Sequence, residues 1–152
     1  MKKKFKLEIV KESEKALFVS PVFSDSGKSL FQEFSERYLN IDPVNLFVLL
    51  DSIDRMAETG IQSSFFKYQR PKYVYRFIDS GTLRLYCLKY NDIALVIGGG
   101  GVKPRNVRNL ISVPELELAV KILEAIQVSL DKSGIKFSEL HEHLDDEFEI
   151  EL

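Results

Sequence analysis

Leu83-Arg84-Leu85-Tyr86-Cys87-Leu88-Lys89-Tyr90-Asn91-Asp92-Ile93-Ala94-Leu95-Val96-Ile97-Gly98-Gly99-Gly100-Gly101 decides how this chain folds. Leu83, Leu85 and Cys87 alternate with Arg84, Tyr86, Leu88 and Tyr90, a period of two that belongs to a strand with two different faces. Asn91-Asp92 supplies a two-residue turn, and Ile93, Leu95 and Ile97 a second apolar run, so the stretch predicts an antiparallel hairpin. Such a turn sets the register: Tyr90 opposite Ile93, Leu88 opposite Leu95, Tyr86 opposite Ile97 and Arg84 opposite Gly99. Arg84, Tyr86 and an exposed glycine backbone then meet at one end of the sheet, beside Lys103 and Arg105. That end is a candidate anion site.

Upstream of the hairpin, Tyr73, Tyr75 and Phe77 begin the central sheet, with Arg76 pointing the opposite way. Residues 63–70 read as a polar and aromatic connector in which Phe65, Phe66 and Tyr68 pack and Lys67 and Arg70 stay exposed, broken by Pro71. Before it lie two helical patterns. Leu30, Phe31, Phe34, Tyr38 and Leu39 share one helical face. Asp42-Pro43 then gives an N-cap and a proline at the first helical position, Leu46, Leu49, Leu50, Ile53 and Met56 form a stripe, and Gly60 closes it. The chain opens with Phe5, Leu7 and Ile9 in alternation and a second short run at Ala16-Leu17-Phe18-Val19, two strands joined by a polar turn. Downstream, Pro114 opens a third helix with Leu116, Val120, Leu123, Ile126 and Leu130 on one side, closed near Gly134. Residues 145–152 alternate acids with Phe148 and Ile150, either a short edge strand or a disordered acidic tail.

The order ββ, αα, βββ, α, tail predicts an α+β fold: an antiparallel β-sheet with two preceding helices and a C-terminal helix. At 152 residues the chain fits one domain, placed at residues 1–134 with an N-terminal β-hairpin extension, followed by an acidic tail at 135–152. With 45% apolar and 29% charged residues the composition is that of an ordinary globular protein. Lys6 and Glu8 interrupt what would be the apolar core of a signal peptide after Met1-Lys2-Lys3-Lys4, and no apolar run approaches the roughly 18 residues of a membrane span. With one cysteine and no partner for it, the expected location is cytoplasmic, away from membranes.

The net charge of −2 hides a separation. Residues 67–108 hold nine basic and two acidic side chains, +7, whereas 131–152 hold eight acids and two lysines, −6. A basic centre favours a polyanionic partner such as RNA, DNA or an acidic protein segment, or else is a solvated sheet face. The acidic end could also cover the basic centre as an intramolecular lock.

From Leu83-Arg84-Leu85-Tyr86-Cys87 through 98–101 to Lys103, the sequence resembles the RelE/HigB/ParE toxin superfamily, in particular the larger RelE-like proteins of Bacteroidetes mobile elements. The resemblance implies a compact sheet with two preceding helices and the toxin of a type II toxin-antitoxin system: a metal-independent mRNA endoribonuclease acting on the ribosome, held inactive by an antitoxin. On its pattern Arg84 on the strand and Lys103 after the turn contact the scissile phosphate and leaving oxygen, with Arg105 a weaker match. Tyr86 joins them by register alone, as a stacking or acid/base group, although aromatic residues such as Tyr86 and Tyr90 on a sheet face under helices are more often core. Arg76, Gly99, Gly100, Arg105 and Arg108 complete an expected nucleic-acid surface. Residues 109–130 offer no tyrosine or histidine where several active members carry a late catalytic group. The alternative is a catalytically inactive module of the same fold that binds a protein or nucleic acid through its basic face.

Metal-free RNA cleavage needs a base for the 2′-hydroxyl, stabilisation of the phosphorane and a proton for the leaving oxygen. Arg84 and Lys103 answer the second need; an arginine, almost always protonated, is a poor base. Other motifs yield bland readings. Gly27-Lys28-Ser29 lacks the first glycine of a P-loop, because Val22 stands there. Glycines 98–101 do not complete a dinucleotide fingerprint, since Lys103 stands where the last glycine belongs. Cys87 lies on the Leu83/Leu85 face as an inert thiol. His141 and His143 with Asp145 and Asp146 have neither the helical spacing nor the cysteine partner of a metal site. No cofactor and no metal are expected.

Overall fold

The computed structural model describes residues 1–70, 73–89, 91–106, 108 and 113–152. Two strands, β1 (Lys2–Glu12) and β2 (Leu17–Phe23), lead into helices α1 (Leu30–Ile41) and α2 (Pro43–Thr59). Four strands follow, β3 (Phe66–Arg70), β4 (Val74–Phe77), β5 (Leu83–Lys89) and β6 (Ala94–Val102), then α3 (Pro114–Lys132), a 3₁₀ helix Phe137–His143 and β7 (Phe148–Glu151). Among the described residues the strands form one seven-stranded sheet in the order β3-β4-β5-β6-β2-β1-β7. It is antiparallel except where β2 runs parallel to β6, Leu17–Val19 against Ala94–Val96. The α+β class is as expected. No helix among the described residues is long and apolar enough to cross a membrane.

The helices form where local chemistry allows. Ser29 caps α1 by accepting from the Gln32 amide at 3.0 Å. Asp42 caps α2 ahead of Pro43, and Gly60, at φ 97°, ends it. Lys28 is engaged by both carboxylate oxygens of Glu36, at 3.0 and 2.9 Å, so the glycine-lysine-serine run is a helix entry.

The sheet is covered on both faces. Phe31, Phe34 and Tyr38 of α1 and Leu46, Leu49, Ile53 and Met56 of α2 pack with Leu83, Leu85, Cys87, Leu95 and Ile97. On the other face Leu116, Val120, Leu123, Ile126 and Leu130 of α3 cover Tyr86, Leu88, Ala94 and Val96.

Three expectations change. Asn91 Oδ1 accepts from the amides of Ile93, at 2.8 Å, and Ala94, at 3.2 Å, which draws Ile93 into the turn and leaves it 53% exposed. Leu88 therefore faces Val96 and Cys87 faces Ile97, one residue out of the expected register. A one-residue slip moves Leu95 and Ile97 to the opposite face. A bulge between Leu85 and Cys87 then sets Arg84 opposite Gly101, not Gly99. Second, the connector contains β3, paired with β4 through Lys67↔Arg76 and Tyr68↔Tyr75. Third, 135–152 is not a tail outside the domain. Phe148 and Ile150 lie in strand β7 on β1, and together with Phe137 and Leu140 they are buried against α3. Pro71 and Tyr90 lie outside the described residues.

Candidate functional site

Arg84, Lys103 and Arg105 come together. They line a cavity of about 330 Å³ with Gly81, Thr82 and Pro104, at the end of the sheet where the β4–β5 turn meets the exit of β6. The backbone builds this from register: Arg84 is opposite Gly101, and the Lys103 amide donates to the Thr82 carbonyl at 2.8 Å, so the segment after β6 stays fastened to the strand that carries the arginine. The turn also orients the guanidinium, since Arg84 Nη1 donates to the Gly81 carbonyl. Lys103 Nζ donates to the Arg108 carbonyl at 3.2 Å. Arg108 is exposed and contributes a main-chain acceptor that positions the lysine.

The cavity opens onto a wider basic face. Across neighbouring strands the pairing runs Lys67↔Arg76↔Tyr86, which sets Lys67 and Arg76 on the face that carries Arg84. Residues paired across a sheet project to the same side. Burial first, and then the charges of Arg84, Arg76 and Lys67, hold the Lys103 ammonium below the ordinary lysine range. Burial, followed by Arg84, lowers Arg76, with Tyr86 acting in the opposite sense. Four cations, Lys67, Arg76, Arg84 and Lys103, thus feel one another, and Arg105 lines the same cavity. Among the described residues no carboxylate pairs with any of them, whereas Lys11, Lys28, Arg37, Arg55 and Lys89 each have an acidic partner. Like charges left together without a counter-ion cost stability unless an anion completes the site.

Other expected residues go elsewhere. Tyr86 is 1% exposed, covered by the α3 side of the core. A ring so enclosed has no open face for a base to stack on. Gly99 and Gly100 line a separate cavity of about 160 Å³ on the α1 side, with Glu33, Phe34, Arg37 and Tyr38. The residue-by-residue alternation was legible, but the bulge that carries Gly100 past Arg84 was not. Conversely, Lys67, Gly81 and Thr82 were not anticipated as parts of the site. A serine-glycine turn before Leu83 was the available signal for Gly81; Lys67 became relevant only once the connector proved to be a strand.

Burial pushes the Cys87 thiol well above its ordinary range, and it is inert in this position. His143 Nδ1 lies 2.7 Å from Asp146 Oδ2, and His141 contacts Glu12. Glu139, Glu142 and His143 bring ligand-type atoms within 4.8 Å of one another on partly exposed surface, an arrangement that solvated acidic segments form without an ion.

The acidic segment also does not cover the basic face. Glu147 pairs with Lys4 at 3.4 Å, Glu149 with Lys2 at 3.8 Å and Glu151 with the N-terminus at 3.4 Å, all at the opposite edge of the sheet from β3. The idea of an intramolecular lock is withdrawn on that topology. Comparison of the chain with protein-family models, with curated proteins and with solved structures gave no match.

Proposed function

We propose that the protein binds single-stranded RNA through the face formed by Lys67, Arg76, Arg84, Lys103 and Arg105, as a RelE-like module whose binding does not depend on cleavage. The observation that carries the reading is the convergence of five cations, with no acidic partner among the described residues, around and beside one open cavity. Phosphate oxygens are the ligands such a set takes, arginine by paired N–H donors and lysine as a point charge. Among the described residues the cavity offers charge stabilisation and no base: the side chains are Thr82, Arg84, Lys103, Pro104 and Arg105, and none accepts a proton from a ribose hydroxyl readily near neutral pH.

A second reading is the toxin: an mRNA endoribonuclease of a type II toxin-antitoxin system, acting on ribosome-bound message and neutralised by an antitoxin. It is favoured by the meeting of Arg84 and Lys103, the two residues that the RelE resemblance assigns to the phosphate. On this reading the missing acid and base come from outside the cavity.

One double variant, compared with wild type, separates the readings. Removing two phosphate contacts lowers affinity roughly tenfold each, so Arg84→Ala/Lys103→Ala should bind a single-stranded oligoribonucleotide about a hundredfold more weakly. The slope of log K against log[salt] should fall by about 1.4, two contacts at about 0.7 each. Circular dichroism checks that both proteins are folded. Growth and transcript integrity after induced expression supply the other arm. Harmless wild-type expression with salt-dependent RNA binding selects the module, whereas growth arrest with message cleavage, relieved by the double substitution, selects the toxin. Equal RNA affinity of folded wild type and variant would remove both.

A further inference from the structure

We propose that the Arg84/Lys103/Arg105 cavity seats a terminal phosphate monoester of the RNA, while Arg76 and Lys67 hold the backbone that leads away from it; this inference rests on the RNA-binding reading above. Position separates this cavity from the rest of the face: it lies past the end of β6, beyond the strands that carry Arg76 and Lys67. An internal phosphodiester has chain on both sides and suits an open track. Arg76 and Lys67 supply such a track, on adjacent strands about 4.8 Å apart. The cavity, of about 330 Å³, is lined by Gly81 and Thr82 of the β4–β5 turn and by Lys103, Pro104 and Arg105, where the chain has left β6 and a phosphate at a chain end can be gathered by several donors at once.

Charge points the same way. An internal phosphodiester carries one negative charge, whereas a monoester carries about −1.5 to −2 at pH 7 and presents three acceptor oxygens. Among the described residues three cations and Thr82 line the cavity and no carboxylate does, a set of charges larger than a singly charged diester needs. Two of the three are held in advance. The Arg84 guanidinium is fixed by the Gly81 carbonyl, and the Lys103 ammonium by the Arg108 carbonyl at 3.2 Å. Fixed donors lose less entropy on binding. The Lys103 ammonium, disfavoured first by burial and then by Arg84, Arg76 and Lys67, is stabilised by a dianion placed among them.

The test uses one RNA sequence made with a 5′-phosphate, with a 3′-phosphate, or with hydroxyls at both ends, titrated against the full-length protein at fixed salt. One phosphorylated form is expected to bind about tenfold or more tightly than the hydroxyl form, and which one it is identifies the end that is read. Arg105→Ala, an exposed position, should reduce that ratio towards one. Lys67→Ala should weaken phosphorylated and hydroxyl forms equally and keep the ratio. Equal binding of all three RNAs to wild type would overturn the inference and leave RNA binding through the face intact. Absence of binding to any of them would overturn both.

Discussion

Ser20 shows how much one hydroxyl can hold together. β2 and β6 run parallel only as far as Val19 and Val96. At the next residue Ser20, fully buried, donates to the Ile97 carbonyl at 2.7 Å and accepts from the Phe31 amide at 3.1 Å. One side chain thus satisfies a β6 carbonyl where the parallel pairing ends and an amide at the start of α1, which fixes the helix against the sheet. Ser20→Ala leaves both groups buried without a partner. It should lower stability by about 1–3 kcal/mol, read as a lower urea midpoint at unchanged slope, while the more modest Ser20→Thr tests whether the hydroxyl alone suffices. The sequence gives no sign of this role, because both partners lie far away along the chain. Arg84 and Lys103 are the opposite case. Their pairing follows from strand alternation and a short return, both local properties, and they were legible. Tyr86 marks the limit of this scale: alternation puts it on Arg84's face, where an aromatic ring under a helix is more often core than stacking surface, and the position of α3, which no local pattern states, decides for the core.

At the scale of elements, the glycine run is where prediction from periodicity met its limit. Four consecutive glycines carry no side-chain pattern, so nothing in them marks a bulge, and the register fixed by a presumed two-residue turn is passed down the strand unchecked. The structure separates the four: a Cβ on Gly98 would crowd Leu123 and one on Gly101 the Glu115 carboxylate. A Cβ on Gly100 would stand 1.8 Å from the Arg84 carbonyl oxygen, an impossible approach between two backbones, whereas a Cβ on Gly99 meets nothing within 4 Å. Gly100→Ala must therefore break or shift the β5–β6 bulge and, with it, the placement of Arg84 over the cavity. Its cost should exceed about 3 kcal/mol, beyond the ordinary range for a single substitution, and any folded remainder should bind RNA less well. Gly99→Ala should leave the thermal midpoint within a few degrees of wild type and RNA affinity unchanged. Equal tolerance of both changes would show that the bulge is not what aligns the site. β3 illustrates the other limit. Phe66, Tyr68 and Arg70 fit a strand as well as they fit a connector, and only the pairing of Lys67 with Arg76 decides between them, a tertiary fact that also brings Lys67 into the basic face.

For the whole molecule, composition revealed the separation of charge but not its geometry. The +7 centre and the −6 end invited an electrostatic lock, and burial refutes it through the same residues that periodicity had picked out: Phe148 and Ile150 alternate with acids because one side of β7 enters the core. Removing 135–152 is for that reason the wrong experiment, since it would strip Phe137, Leu140, Phe148 and Ile150 from the α3 layer, each worth about 1.5–3 kcal/mol of burial in a fold whose total margin is about 5–15 kcal/mol. Neutralising the exposed carboxylates asks the question cleanly. From β5, which carries Arg84, to β7 the sheet order gives four strand spacings, roughly 19 Å, more than two Debye lengths of about 8 Å at physiological salt. Glu147→Gln/Glu149→Gln/Glu151→Gln should therefore change RNA affinity less than about twofold at that salt. At about 0.01 M, where the screening length is about 30 Å, the same variant should bind more tightly than wild type, because the unscreened acids then oppose the approach of the RNA. A large gain in affinity already at physiological salt would mean that the acidic edge reaches the basic face in solution.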